Sequence, residues 1–328
     1  MAQYFPTGGA DTNFDSDSAL TNGQNFLPEI YSKKVLNFFR KSSVVEAITN
    51  TDYEGEISSF GDSVKIIKEP TITVSNYTRG LAVPQAYIQD EVTSLVVDTA
   101  KSFKFIVDDI ESSMSHVNFK EVAASSAAYA LKDKYDETVL ATMFGGVSTS
   151  PDHVIGGDDT TDVDTIAGAN TANKPIDIGG TTGVGVDPLD VMAHMARLLD
   201  EQNVPEEGRF FVAPPAFYEQ LSQSGSKLLS VDFNAGQGSI RNGLVSSGKL
   251  RGFEMYKSNN CPAATQGNLV NQVLAGHVSA TATAQTIVNT EVLRDTDSFG
   301  DICRGLHVFG SAVLRPAALV KAYVSTLD

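Results

Sequence analysis

The residues best able to do chemistry are clustered aspartates. Asp158, Asp159, Asp162 and Asp164 stand in one short Gly/Thr-rich stretch and could suggest Ca²⁺. Their spacing is not that of a helix–loop–helix calcium site, and no Glu closes the set. A solvated surface loop is the expected reading. Asp108 and Asp109 are adjacent, and neighbours on a helix do not face each other. Their expected role is electrostatic, at the start of a helix whose dipole favours negative charge. His116, His153, His194, His277 and His307 are scattered, as structural or exposed histidines are. Cys261 and Cys303 are far apart and form no CxxC, so buried apolar packing is expected of them rather than redox or zinc chemistry. The run Gly179 to Gly185 lacks the Lys-Ser/Thr of a phosphate loop and the GxGxxG spacing. There is no HExxH and no nucleophile elbow. The sequence predicts no catalytic residue, no cofactor and no metal site.

Charge narrows the class further. The 328 residues carry 40 Asp plus Glu against 24 Lys plus Arg, a net charge of −16. A general nucleic-acid binder needs the opposite balance, because Lys and Arg must replace phosphate counterions. Lys33-Lys34 and Arg40-Lys41 are read as solvated helix positions. With 41% apolar and only 20% charged residues, the chain can build real cores. Residues 1–28 contain no Lys or Arg and no long apolar run, so no export signal is read there. No 18 apolar residues run together, so no membrane span is expected. Without an export signal, the glycosylation sequon Asn76-Tyr77-Thr78 carries little meaning.

The elements that would position these groups follow a definite order. Residues 1–28 read as an arm rich in Gly, Asn, Asp and Ser with isolated anchors such as Phe5, Phe14 and Phe26. Leu27 to Ile48 has helical spacing. Residues 51–107 become extended, with strands at Val64–Ile67, Thr93–Val97 and Phe103–Val107 around a turn at Tyr77–Gly80. These strands have too few apolar positions for a private core, and a two-stranded ribbon is marginal alone. They need a partner surface, from this chain or another. Asp108 to Phe144 is the longest helical stretch, about 50 Å at roughly 1.5 Å per residue. Residues 145–186 read as an acidic Gly/Thr-rich loop or insertion. From Asp187 the pattern is α/β, with a helix at Pro188–Gln202 and a buried strand at Arg209–Ala213. A Gly/Ser-rich stretch spans 224–248. Further strands are expected at Glu254–Lys257 and Val270–Gly276.

Several segments, taken in order, resemble a known family. They are Leu27-Pro28-Glu29-Ile30-Tyr31-Ser32-Lys33-Lys34, Gly61-Asp62-Ser63-Val64-Lys65-Ile66, and Lys101-Ser102-Phe103-Lys104-Phe105-Ile106-Val107-Asp108-Asp109. Arg209-Phe210-Phe211-Val212-Ala213-Pro214-Pro215, Gly252-Phe253-Glu254-Met255-Tyr256-Lys257 and Phe309-Gly310-Ser311-Ala312-Val313-Leu314-Arg315-Pro316 complete the series. The chain so resembles, over roughly residues 27–325, the major capsid proteins of tailed bacteriophages, whose fold is the α+β Hong Kong 97 type.

The resemblance implies a parts list. Residues 1–50 would be an N-terminal arm and 51–107 an extended β loop lying across an adjacent subunit. Residues 108–144 would be the spine helix of a peripheral domain, 187–286 an axial domain, and 287–328 the C-terminal strands of the peripheral domain. It implies hexamers and pentamers closing into an icosahedral shell around double-stranded DNA, with little specific DNA binding. Scaffolding, portal and decoration proteins are its implied partners, and host cytoplasm its place of assembly. Expected inter-subunit contacts are Phe5, Phe14, Lys65, Lys68, Tyr77, Arg79, Tyr87, Asp90 and Glu91. The alternative within the fold is an encapsulin-like compartment holding enzyme cargo. A soluble hydrolase-like enzyme and a surface adhesin are further readings, the first wanting a recognisable polar pocket and the second an export signal.

Overall fold

The computed structural model describes residues 43–53, 63–70, 72, 74, 76, 79–80, 91–109, 119–150, 152–157, 166–168, 175–178, 185–222, 240–241, 244–245, 249–266, 268–296 and 298–325. The body is an α+β structure built on one large sheet and one three-stranded sheet. The helices are α1 (Val45–Ile48), α2 (Phe119–Gly145), α3 (Pro188–Glu201) and α4 (Pro215–Leu221).

The large sheet has nine strands. Its main path runs β10 (Lys249–Leu250), β11 (Phe253–Lys257), β7 (Arg209–Ala213), β13 (Asn268–His277), β16 (Leu319–Ser325), β4 (Val154–Gly157) and β5 (Ile166–Gly168). Two short strands join at the side, β12 (Ala263–Gln266) on β13 and β6 (Ile176–Asp177) on β16. All five residues of β7 are buried, as expected of a strand covered on both faces. Alternation divides them. Phe211 and Ala213 join Val273, Ala275, Val320 and Ala322 under α3, whose Met192, Met195 and Leu199 are fully buried. Phe210 and Val212 join Leu274, Leu319 and Tyr323 against α2, through Tyr135, Val139, Leu140 and Met143. Helix α3 starts where Asp187 accepts from the Leu189 N–H and Pro188 fixes the first turn.

The three-stranded sheet is β14 (Thr281–Arg294), β15 (Gly300–Val313) and β3 (Thr99–Asp108), all antiparallel. One face lies on α2: Tyr135 meets His307 and, edge-on, Phe309 at 4.9 Å between centroids. A two-stranded ribbon, β1 (Ser63–Lys68) with β2 (Glu91–Val96), packs on the opposite face. β8 (Ile240–Arg241) and β9 (Leu244–Val245) form a separate small hairpin.

Several expectations need correction. Asp108 closes β3, where it pairs with Gly300, and the chain turns helical at Asp109; residues 110–118 lie outside the described residues, and α2 is described from Phe119. Within residues 145–186, read as a loop or insertion, β4 and β6 run parallel to β16 and extend the large sheet. The division at residue 286 falls inside β14, and β16 returns to the large sheet instead of lying in the three-stranded one. The ribbon and β3 also differ in kind. β3 pairs along its whole length with β15, so the shorter β1–β2 segment is the ribbon that depends on another surface. The aspartates 158–164, the arm 1–42, most of 223–248 and Gly179 to Val184 lie outside the described residues.

Candidate subunit-interaction surface

The ribbon's register decides what it presents. Val64 opposes Leu95, Ile66 opposes Thr93, and Lys68 opposes Glu91. Side chains alternate along a strand, so these six share one face. That face is the seated one. Leu95 is fully buried, as is Val97 just beyond the strand, and both pack with Ala282, Ala284, Val308 and Leu314; Val64 and Ile66 lie at the edge of the cluster. The seat is close. A Cβ on Gly310 would stand 2.2 Å from the Val96 carbonyl oxygen, so only glycine lets β15 pass beneath β2.

The other face carries Lys65, Ile67, Val92, Ser94 and Val96 and is not covered by any described residue. Ile67 is 74% exposed, with Val92 and Val96 beside it. Beyond the strand Ile72 and Val74 continue the exposed apolar character, Val74 at 91%. The turn above contains Arg79 and Gly80, the latter at φ +90°, a conformation glycine adopts without steric cost. Arg79 is exposed and has no hydrogen bond or ion pair among the described residues.

The expected contact residues therefore separate. Lys65 lies on the outward face, and Arg79 stands free at the turn. Lys68 and Glu91 meet each other across the ribbon at 2.6 Å, so their charges are already matched within the chain. Phe5, Phe14, Tyr77, Tyr87 and Asp90 lie outside the described residues. The apolar stripe Ile67–Val92–Val96 was not among the expected contacts. Its signal was present in the sequence: consecutive Ile66-Ile67 in an alternating strand forces one isoleucine outward.

The far end of the three-stranded sheet is tied by charges. Arg294 grips Asp109 with both amino groups, and Lys120 of α2 reaches Asp301 at 3.0 Å. The Arg294 hydrogen bonds hold the Asp109 carboxyl below its usual range, and Lys120 does the same for Asp301. Beyond this network Ile106, Leu293 and Phe299 are exposed.

Among the described residues no three His, Cys, Asp or Glu side chains converge as metal ligands would. Among the described residues no helix is long and apolar enough to cross a membrane. Cys303 is buried, and burial pushes the Cys261 thiol up to about 12, which disfavours the reactive thiolate.

Comparison with known proteins gives those surfaces a context. The model of a family described as phage capsid protein matches residues 90–322. A search of curated proteins matches nothing. Among solved structures, one from Mycobacterium phage Che8 is 29% identical, with a TM-score of 0.74, covering 92% of this chain and 98% of that one. The capsid structure of the cyanophage P-SCSP1u is 20% identical at a TM-score of 0.68, covering 96% and 100%. A structure from Gordonia phage Cozz shares 14% identity at a TM-score of 0.62 and covers 99% of each chain. A seated ribbon with a bare apolar face, on a body of the Hong Kong 97 type, is thus the build of a shell subunit rather than an enzyme: the chain belongs to the phage capsid protein family.

Proposed function

We propose that this capsid protein forms hexamers and pentamers that close into an icosahedral shell around packaged double-stranded DNA. The outward stripe Ile67–Val92–Val96, continued by Ile72 and Val74, carries this reading. A ribbon with one face seated and the other apolar and bare gains stability by lying across a neighbouring subunit. Closure of a shell requires heterologous contacts at slightly varying angles. A ribbon anchored at its base and free along its outward face tolerates such variation. Each contact can be modest, because many act together in one particle. Arg79, held out at the turn, pairs with a carboxylate of the neighbour. Phe5, Phe14, Tyr77, Tyr87 and Asp90 are further contacts in this reading. The net charge of −16 fits a container whose wall does not hold DNA phosphates, so that DNA slides during packing. Scaffolding, portal and decoration proteins complete the particle, which is assembled in the host cytoplasm.

The test is an assembly assay on surface variants. Ile67→Asp is expected to leave the unassembled subunit within about 0.5 kcal/mol of wild type, since the side chain is exposed, while blocking shell formation. Arg79→Ala is expected to slow or weaken assembly with the same unchanged subunit. Normal shells from Ile67→Asp would contradict the assignment of the outward face.

A further inference from the structure

We draw no further inference here: the strongest candidate, the exposed apolar patch of Ile106, Leu293 and Leu306 beside a cavity of about 390 Å³ on the ribbon-side face of the three-stranded sheet, carries no proposal, because nothing in the structure shows what covers it.

Discussion

Asn260 donates its side-chain amide to Asp136 Oδ2 at 3.1 Å, joining the loop after β11 to the middle of the long helix α2. The same amide nitrogen lies 2.8 Å from Asp133 Oδ1, one turn earlier. The other Asp136 oxygen accepts from Ser43 Oγ at 3.0 Å and from the Val44 and Val45 N–H groups at 3.0 and 3.1 Å. Asp136 is fully buried. One carboxylate thus holds three things together: the point where the chain enters the body, the long helix, and the large sheet's loop. It also serves the first N–H groups of α1, a four-residue helix with no side-chain cap of its own.

Removing that carboxylate strands several buried donors. Asp136→Ala is expected to destabilise the unassembled subunit by about 3 kcal/mol or more, since each orphaned buried group costs roughly 1–3 kcal/mol. Asp136→Asn keeps the acceptor for residues 43–45 but sets one NH₂ against that of Asn260. A smaller loss is expected, about 1–2 kcal/mol on the same scale. Urea unfolding of the unassembled subunit measures both, and equal stability of all three proteins would refute the role. Limited proteolysis is expected to cut near residue 43 faster in Asp136→Ala.

A pair of glycines tests the ribbon's seat. At Gly310 an added methyl would meet the Val96 backbone at 2.2 Å, and backbone cannot turn aside. Gly310→Ala is expected to lift the ribbon and cost about 3 kcal/mol, at the upper end of overpacking penalties. At Gly145, which ends α2, nothing lies within 4 Å. Gly145→Ala is expected to be neutral or stabilising by up to about 1 kcal/mol from helix propensity. Thermal unfolding distinguishes the two, and a harmless Gly310→Ala would show that the ribbon base is not held as described.

His307 makes stability depend on pH. It is 7% exposed, lies 3.0 Å from Gln285 Oε1 through Nε2, and packs on Tyr135 and Phe309. Lys101 is its register partner on β3, and that ammonium also opposes a second positive charge. Burial lowers the His307 pKa below its ordinary 6.5. The unfolded chain therefore takes up the proton first as pH falls. This contribution to stability is full above about 6.5 and declines below it, until the native imidazole is itself protonated. The melting temperature of the unassembled subunit is expected to fall more steeply between about pH 6.5 and 5 than that of His307→Gln. Parallel profiles would remove His307 from the account.

These contacts mark the limit of what the sequence made legible. The strand Arg209–Ala213 was readable because its buried residues Phe210 to Ala213 form a continuous apolar run. Helix α3 was readable from Asp187-Pro188 and the spacing of Leu189, Met192, Met195 and Leu199. The first part of β14, before residue 287, was missed, since Thr281-Ala282-Thr283-Ala284 is small and weakly apolar. It is a strand because the ribbon and β15 cover it, a tertiary cause. The strands β4 and β6 were hidden for the same reason, being two to four residues long in a Gly/Asp-rich stretch and held by β16. For the interaction surface, charge drew attention to Lys68 and Glu91, which turn out to satisfy each other. Which isoleucine faced outward depended on where the ribbon was seated, and that required the fold.

The central claim is that this subunit closes into a shell through its ribbon. Electron microscopy of the purified chain, with sedimentation of the same sample, tests it most directly. The account predicts uniform closed shells, or hexamers and pentamers that convert to shells when a scaffold is supplied. A subunit of about 35 kDa that stays monomeric under all these conditions would contradict it.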